Sequence, residues 1–285
     1  MQQLADMNVA NPSVARNEAT RPAIEVAGLS HVYAGREGAV PALTDISLSV
    51  GAGRFVVIVG PSGCGKTSLL MMMAGLRHQT SGTIDIQGRA IDKPDPDRVG
   101  VVFQEASLFP WLSALDNIEF PLALRHAPRE ERRKRSTDML NLVGLQGFGA
   151  RYPHELSGGM KQRVSIARGL SSETDILLMD EPFAALDEQT RMLLGEDLSA
   201  LLSETQKTIV FVTHSLAEAV FLSDRIVLMT ARPGRIKRII DIGEPHPRPP
   251  AFMLEPRFSE WRNECYASLH DEIRQAMVTA EGTVS

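Results

Sequence analysis

The octapeptide GPSGCGKT at residues 60–67 restricts the fold more than any other feature, because it joins an apolar strand to a helix. RFVVIVG at 54–60 is a continuous apolar run with β-branched residues, which is typical of a strand buried on both faces. KTSLLMMMAGL at 66–76 predicts a helix that ends near Gly75. A glycine-rich loop between a strand and a helix is the context in which this motif binds phosphate groups.

The residues of this loop predict the chemistry of nucleotide binding. Gly60, Gly63 and Gly65 allow the backbone to curl, so that successive N–H groups face the phosphates. Lys66 is predicted to reach the β- and γ-phosphates, and the Thr67 hydroxyl to ligate Mg²⁺. A chance glycine-rich turn is the alternative, which the flanking strand and helix disfavour. The predicted ATP contacts are Gly60, Pro61, Ser62, Gly63, Cys64, Gly65, Lys66, Thr67 and Ser68.

Two further strands end in polar residues that suit nucleotide hydrolysis. ILLMDEP at 176–182 places two carboxylates after an apolar strand, at the end where parallel sheets bind their ligands. Asp180 is predicted to hold Mg²⁺ and Glu181 to polarise the attacking water, although an acidic pair that caps a helix has the same pattern. TIVFVTH at 208–214 ends in His214, which has either a structural role or a hydrogen bond to a γ-phosphate oxygen.

The order of apolar patterns along the chain predicts an α/β fold with a largely parallel sheet. AIEVAGLSHVY at 23–33 and ALTDISLSV at 42–50 alternate apolar and polar residues, as half-buried strands do. Other strands are predicted around Gly82 and Gly88 and at 99–104, 175–180, 208–214 and 225–231, with helices between them.

Changes of composition divide the chain into regions. Prolines and a basic stretch between Glu105 and Pro153 predict a helical insert. GEPHPRPPAFMLEP at 243–256 predicts an extended linker, and residues 256–277 predict a terminal helix. The predicted regions are a flexible N-terminal segment at 1–21, a main domain at 22–242, and the linker with its C-terminal helix at 243–285.

Charge and composition disfavour several classes of protein. Lysine and arginine number 30, and aspartate and glutamate 35, so the net charge is −5, which disfavours a predominantly basic nucleic-acid-binding protein. Cys64 lies inside the glycine-rich loop and Cys265 is the only other cysteine, so a reducing compartment is favoured over a disulfide framework. No apolar run approaches the roughly 18 residues of a transmembrane helix, and the N-terminus lacks the apolar core of a secretory signal. We therefore expect a soluble cytoplasmic protein.

A second anion-binding pattern, LSGGM at 156–160, opens what is predicted to be a helix. The order GPSGCGKT, Gln104, LSGGM, ILLMDEP, ALD and His214 resembles the ATP-binding subunit of ABC transporters, over about residues 22–240. This resemblance implies a P-loop NTPase core with a mostly parallel sheet, an N-terminal antiparallel β subdomain, and an α-helical signature subdomain at about 105–165.

The resemblance also implies a twofold homodimer that binds ATP and Mg²⁺ at its interface. The signature of one chain would contact the γ-phosphate held by Lys66 of the other chain. The residues assigned to this contact in trans are Leu156, Ser157, Gly158, Gly159 and Met160.

Other roles follow from the resemblance one residue at a time. Tyr33 matches the aromatic residue that stacks on adenine, although by itself it is an ordinary strand tyrosine. Gln104 matches the glutamine that contacts Mg²⁺ or the attacking water and moves with the transmembrane partner. Asp187 matches the loop that communicates across the dimer. Gln162 and Arg163 lie on the signature helix, where we expect packing and dimer contacts rather than catalysis.

VVFQEASLFPWLSALDNI, EPFAALD and MTARPGRI resemble the subfamily that serves nitrate, aliphatic sulfonates and taurine. Membership would make the chain the ATPase subunit of a bacterial importer, peripheral at the cytoplasmic face of the inner membrane. Its partners would be permease subunits and, indirectly, an extracytoplasmic solute-binding protein, with no nucleic acid. Phe109, Trp111 and Leu112 would either form an apolar groove for the permease or belong to the core of the helical subdomain.

Three alternatives remain open at this point. A soluble ABC mechanoenzyme acting on ribosomes or DNA usually carries two cassettes, coiled-coil inserts or zinc sites, and none is visible in the sequence. A small-molecule kinase built on the same phosphate loop would lack LSGGM. Within transport, an ABC exporter or a lipid-transport ATPase is the third alternative.

Overall fold

The computed structural model of the protein describes residues 21–35, 38–205 and 207–281. Apart from Arg21, the predicted N-terminal segment at 1–21 lies outside the described residues. The strands are β1 (Ile24–Gly35), β2 (Gly38–Val50), β3 (Phe55–Val59), β4 (Ser81–Ile86), β5 (Arg89–Ala90), β6 (Val99–Val102), β7 (Ile176–Asp180), β8 (Thr208–Thr213), β9 (Arg225–Met229) and β10 (Ile236–Asp241). The α-helices are α1 (Lys66–Met73), α2 (Ala114–Leu124), α3 (Arg129–Leu142), α4 (Gly158–Ser171), α5 (Glu188–Glu204), α6 (Leu216–Leu222) and α7 (Pro256–Glu281).

A six-stranded sheet forms the centre of the molecule, in the order β10-β9-β3-β8-β7-β6. The five strands from β9 to β6 run parallel, and β10 pairs antiparallel with β9. A second sheet, β2-β1-β4-β5, is antiparallel throughout. The predicted α/β fold, with a mostly parallel sheet and an antiparallel subdomain, is therefore confirmed.

Strand β3 separates two hydrophobic cores. Phe55, Val57 and Val59 pack into the core that contains α2, α4 and α7. Val56 and Ile58 point into the other core, between the central sheet, α1 and the antiparallel sheet. Alternate side chains of a strand face opposite sides of its sheet, so the continuous apolar run predicted correctly that both faces of β3 are buried.

The signature subdomain is built from α2, α3 and α4, which pack on one another. Ser113 caps α2 by accepting a hydrogen bond from the Asp116 N–H at 3.2 Å. Pro121 lies inside α2, so the prolines of the insert do not all mark helix ends. None of the described helices combines the length and the apolar character that crossing a membrane requires.

The proline-rich segment at 243–256 is not the free extended linker that its composition predicts. Residues Pro250–Leu254 form a 3-10 helix, and Arg248 and Phe252 are 2% and 1% exposed. The Phe252 ring lies 5.4 Å from Phe258 and 6.2 Å from Trp261 of α7, measured between ring centroids. Burial of an aromatic ring and a hydrogen-bonded guanidinium overrides the extended preference of the prolines.

Strand β10 was not predicted from the sequence. Its residues IKRIID include three charged side chains, and of the six only Ile240 is buried. An edge strand with one buried position lacks the apolar run or regular alternation that identifies a strand from sequence.

Candidate nucleotide site

The glycine-rich loop lies between β3 and α1 and closes around the ammonium group of Lys66. Lys66 is 6% exposed, and its Nζ donates hydrogen bonds to the carbonyl oxygens of Gly60 and Pro61, both at 2.9 Å. Gly65 has a φ of 103°, and a Cβ at this position would lie 2.6 Å from Leu43 Cδ2. Only glycine fits this turn, so the backbone forms the tight cradle that a phosphate group requires.

Two oxygen ligands suited to a hard cation meet at the start of α1. Thr67 Oγ1 donates a hydrogen bond to Asp180 Oδ1 at 3.0 Å, and Asp180 is 2% exposed. Burial raises the pKa of Asp180; the neighbouring Glu181 carboxylate adds to this effect, and the Thr67 hydrogen bond and the Lys66 charge oppose it. Within the described ranges no group of three or more His, Cys, Asp or Glu residues is arranged to hold a metal ion. A hydroxyl and one carboxylate beside a phosphate loop fit Mg²⁺, which takes its remaining ligands from phosphates and water.

Glu181 and His214 lie together at the carboxyl edge of the central sheet. His214 Nδ1 is 3.3 Å from Glu181 Oε2. The Glu181 N–H donates to the Val212 carbonyl at 2.9 Å, which ties the residue to the adjacent strand β8. Glu181 has a φ of 43°, an uncommon left-handed conformation for a residue other than glycine. The parallel pairing of β7 with β8 thus brings together two residues that are 33 positions apart in the chain.

Gln104 follows β6 at the same sheet edge, because Val102 pairs with Met179 of β7. Its side chain is exposed. Tyr33 reaches the site from the antiparallel sheet, and its hydroxyl lies 2.7 Å from Ser68 Oγ. The Arg77 guanidinium carbon lies 5.0 Å from the centre of the Tyr33 ring, and Arg77 Nη1 donates to the same hydroxyl.

The LSGGM segment forms the exposed N-terminus of α4. Ser157 caps the helix by accepting from the Met160 N–H at 3.3 Å, while Leu156 is buried. Ser157 and Gly158 are exposed, and a Cβ on Gly158 would meet no atom within 4 Å. No hydrogen bond between described residues joins this segment to the phosphate loop of the same chain. The open helix terminus thus has the polarity to receive an anion brought to it from outside.

Asp187 caps α5 by accepting from the Thr190 N–H at 2.9 Å and the Thr190 hydroxyl at 2.7 Å. These hydrogen bonds, the backbone one foremost, lower the pKa of the Asp187 carboxyl. The Ala185 carbonyl, two residues earlier, would lie 3.3 Å from a Cβ on Gly159. The Asp187 loop therefore packs against the start of the signature helix.

The signature helix is also fastened to the segment that follows β6. Gln162 is 2% exposed, and its Nε2 donates to the Phe103 carbonyl at 3.1 Å. Arg168 donates to the carbonyls of Ala106 and Ser107 at 3.0 Å each. The sequence did not predict the link made by Arg168, because its acceptors are backbone carbonyls, which every residue type carries.

Comparisons with known proteins all identify the same family. The family model for ABC transporters matches residues 43–184. The chain is 43% identical to an uncharacterized ABC transporter ATP-binding protein of Methanocaldococcus jannaschii, over 93% of this chain and 97% of that protein. It is 42% identical to a nitrate import ATP-binding protein of Synechocystis, over 85% and 92% of the two chains. It is also 42% identical to a taurine import ATP-binding protein of Rhizobium johnstonii, over 89% and 99%.

Solved structures of the same fold agree with these relatives. A dimeric bacterial ABC transporter cassette matches with a TM-score of 0.72 and 34% identity, over 78% of this chain and 99% of that one. A dimeric cassette in a post-hydrolysis state, bound to ADP and Pi, matches with a TM-score of 0.71 and 33% identity over the same shares. The chain therefore belongs to the ATP-binding proteins of ABC transporters, the ATPases that drive transport.

Proposed function

We propose that this chain is the ATPase subunit of an importer for a small solute of the nitrate, aliphatic sulfonate or taurine class. The observation that carries the proposal is the similarity over nearly full length, at 42% identity, to proteins named for nitrate import and for taurine import. The solute itself would be selected by the permease and by an extracytoplasmic solute-binding protein.

Each side chain at the sheet edge has a role in hydrolysis under this proposal. The Lys66 ammonium holds the β- and γ-phosphates, and the loop N–H groups orient them. The Glu181 carboxylate orients the attacking water and accepts its proton, while the His214 imidazole donates to a γ-phosphate oxygen. Their mutual contact at 3.3 Å supports these paired roles, because it holds the base and the imidazole in one orientation. Mg²⁺ held by Thr67 and Asp180, with Gln104 nearby, would neutralise charge on the phosphates.

The exposed N-terminus of α4 supports a head-to-tail homodimer. Ser157, Gly158 and Gly159 would bind the γ-phosphate held by the loop of the second chain, and Tyr33 would stack on its own adenine. We propose that the ATPase domain spans residues 22–242 and that its helical subdomain, at about 105–165, moves when the dimer closes. Closure of the dimer would draw the two helical subdomains together.

The helical subdomain also offers a surface for the permease. Trp111 is 71% exposed and its ring lies 5.6 Å from that of Phe109. Asn117, which is fully buried, fixes this segment by accepting from the Phe109 N–H at 2.8 Å and donating to the Leu112 carbonyl at 3.0 Å. A rigidly held, exposed aromatic ring supports the docking role over the core role. Docking there would place the subunit peripherally at the cytoplasmic face of the membrane.

Co-purification from the native membrane tests the proposal. Tagged Glu181→Gln protein, expressed in its own cells, should retain a polytopic permease after gentle extraction. Trp111→Ser on this background should lose the permease, whereas Leu254→Ser, which alters an 87% exposed apolar residue outside the helical subdomain, should retain it. Liposomes that hold the complex with unaltered Glu181 and its solute-binding protein should accumulate labelled nitrate or taurine when ATP is supplied, whereas liposomes with the Glu181→Gln complex should not. Recovery of ribosomes or DNA-repair proteins instead of a permease would refute the transport role.

A further inference from the structure

A carboxylate that is largely buried, that of Glu218 in α6, contacts the hydroxyl of Thr213, the residue before His214. The Thr213 hydroxyl donates to Glu218 Oε2 at 2.5 Å. The same Thr213 oxygen accepts a hydrogen bond from the Ser215 N–H at 3.0 Å. The Thr213 hydroxyl therefore links Glu218 to Ser215, so the residues on both sides of His214 belong to one hydrogen-bonded group.

The other oxygen of Glu218 faces the helix that begins at Asp187. Arg191 Nε lies 3.4 Å from Glu218 Oε1. Arg191 Nη2 also donates to the Leu186 carbonyl at 3.1 Å, and Leu186 immediately precedes Asp187. Arg191 thus contacts the start of the Asp187 loop through Nη2 and forms an ion pair with Glu218 through Nε.

The environment makes this contact sensitive to the loss of either partner. The side chains of Glu218 and Arg191 are 10% and 31% exposed. Burial raises the pKa of Glu218, and the Thr213 hydrogen bond and the Arg191 charge oppose that effect. Removal of Arg191 would leave the largely buried Glu218 carboxylate without a compensating charge, so the two elements that they join should shift together.

We propose that Glu218 and Arg191 are positioning residues that couple the Asp187 loop to His214. This inference rests on the proposed roles of His214 at its own ATP and of Asp187 at the dimer interface. In the dimer, arrival of the partner chain at the Asp187 loop would move Arg191, and Glu218 would pass that movement to the backbone that carries His214. The pair therefore connects the two ATP sites through one chain.

A double-mutant cycle on ATP turnover tests the coupling. We expect Glu218→Gln and Arg191→Met each to lower kcat about tenfold, because the orientation of His214 is lost. The KM for ATP should change by about twofold at most, because neither residue lies in the phosphate loop. The kcat of the double variant should be no lower than that of the less active single variant. The cooperativity of turnover with ATP concentration should fall in all three variants.

A second ion pair of similar burial serves as the control. Glu272 of α7 is 13% exposed, and its Oε1 lies 2.7 Å from Lys237 Nζ, outside the nucleotide site. Glu272→Gln and Lys237→Met should leave kcat and cooperativity unchanged even if they lower the melting temperature. Thr213→Val should reproduce the loss caused by Glu218→Gln, and Thr213→Ser should lose less, because serine keeps the hydroxyl donor.

Three results would overturn the inference. The first is independent effects of the two substitutions on kcat, and the second is unchanged cooperativity in Glu218→Gln. The third is normal turnover in Thr213→Val, which tests the inference even if the Glu218 variant does not fold. His214→Ala separates this inference from the proposed function. Full turnover by His214→Ala would remove the proposed role of His214 and the coupling with it, whereas an inactive His214→Ala beside a normal Glu218→Gln would remove the coupling alone.

Discussion

Lys66 is held by the carbonyl oxygens of its own loop, at the point where the phosphates would bind. We expect Lys66→Ala to weaken ATP binding about 100-fold, because it removes a buried positive charge with several hydrogen bonds. Isothermal titration with ATP measures the change, and Lys134→Ala, which alters an 85% exposed lysine of α3, is the control with unchanged affinity. Undiminished affinity in Lys66→Ala, with an intact circular dichroism spectrum, would contradict the phosphate-loop assignment.

Lys207 is a half-buried lysine, and it makes stability depend on pH. Its Nζ donates to the carbonyls of Ser172 at 2.9 Å and Thr174 at 2.5 Å. Burial and the nearby Arg135 charge lower the pKa of Lys207 from its usual 10.5 to about 8. The unfolded chain therefore binds more protons than the folded chain between these two values, and the free energy of unfolding should rise with pH across that window.

The comparison with Lys207→Met isolates this effect. As pH rises through the pKa of Lys207, the unaltered protein should gain stability relative to Lys207→Met, which keeps the apolar stem without a titrating group. Urea unfolding on either side of that pKa measures the difference between the two proteins. A stability difference that does not change with pH would show that Lys207 titrates normally.

At the scale of elements, Arg248 joins the C-terminal segment to the end of α6. Its guanidinium donates to the carbonyls of Val220 at 2.8 Å, and of Phe221 and Ser223 at 2.9 Å. These carbonyls are among the groups that a helix end leaves without intrahelical partners, and a cation also suits the helix dipole there. Burial lowers the pKa of Arg248 to about 10.

We expect Arg248→Met to lower the free energy of unfolding by about 3 kcal/mol, because several buried carbonyls lose their donor. Arg257→Met alters an arginine whose side chain is 51% exposed and should change stability by about 0.5 kcal/mol at most. Chemical denaturation of both variants gives the comparison. Equal stability of the two variants would mean that water replaces the guanidinium at the end of α6.

At the scale of the whole molecule, no hydrogen bond among the described residues joins the signature to the phosphate loop, and under the proposed function a second chain joins them. We expect Glu181→Gln to bind ATP and to persist as a dimer, because the site closes and hydrolysis does not reopen it. Light scattering with and without ATP measures the change in mass. The double variant Lys66→Ala with Glu181→Gln should stay monomeric in ATP, and rapid turnover by Glu181→Gln would refute the role of Glu181 as base.

The sequence alone was sufficient to predict the parallel core and to place the predicted nucleotide-site residues at one edge of its sheet. The unbroken apolar run of β3 predicted that both faces of the strand are buried. Gly75, which has a φ of 69°, correctly predicted where α1 ends. Asp180 and His214 could be assigned to one sheet edge because parallel strands present their carboxyl ends together. These inferences depend on local periodicity and on backbone conformations that particular residue types favour.

Only the tertiary structure decided the contacts between distant segments. Three features have no local signal in the sequence. They are the burial of Arg248 and Phe252 in the proline-rich segment, the charged edge strand β10, and the contacts that lead from Asp187 through Arg191 and Glu218 to Thr213. Each depends on which backbone carbonyls and which charges come to lie beside a side chain after folding. Burial and hydrogen bonding then outweigh local preference, because an unpaired polar group in the core costs more than an unfavourable local conformation.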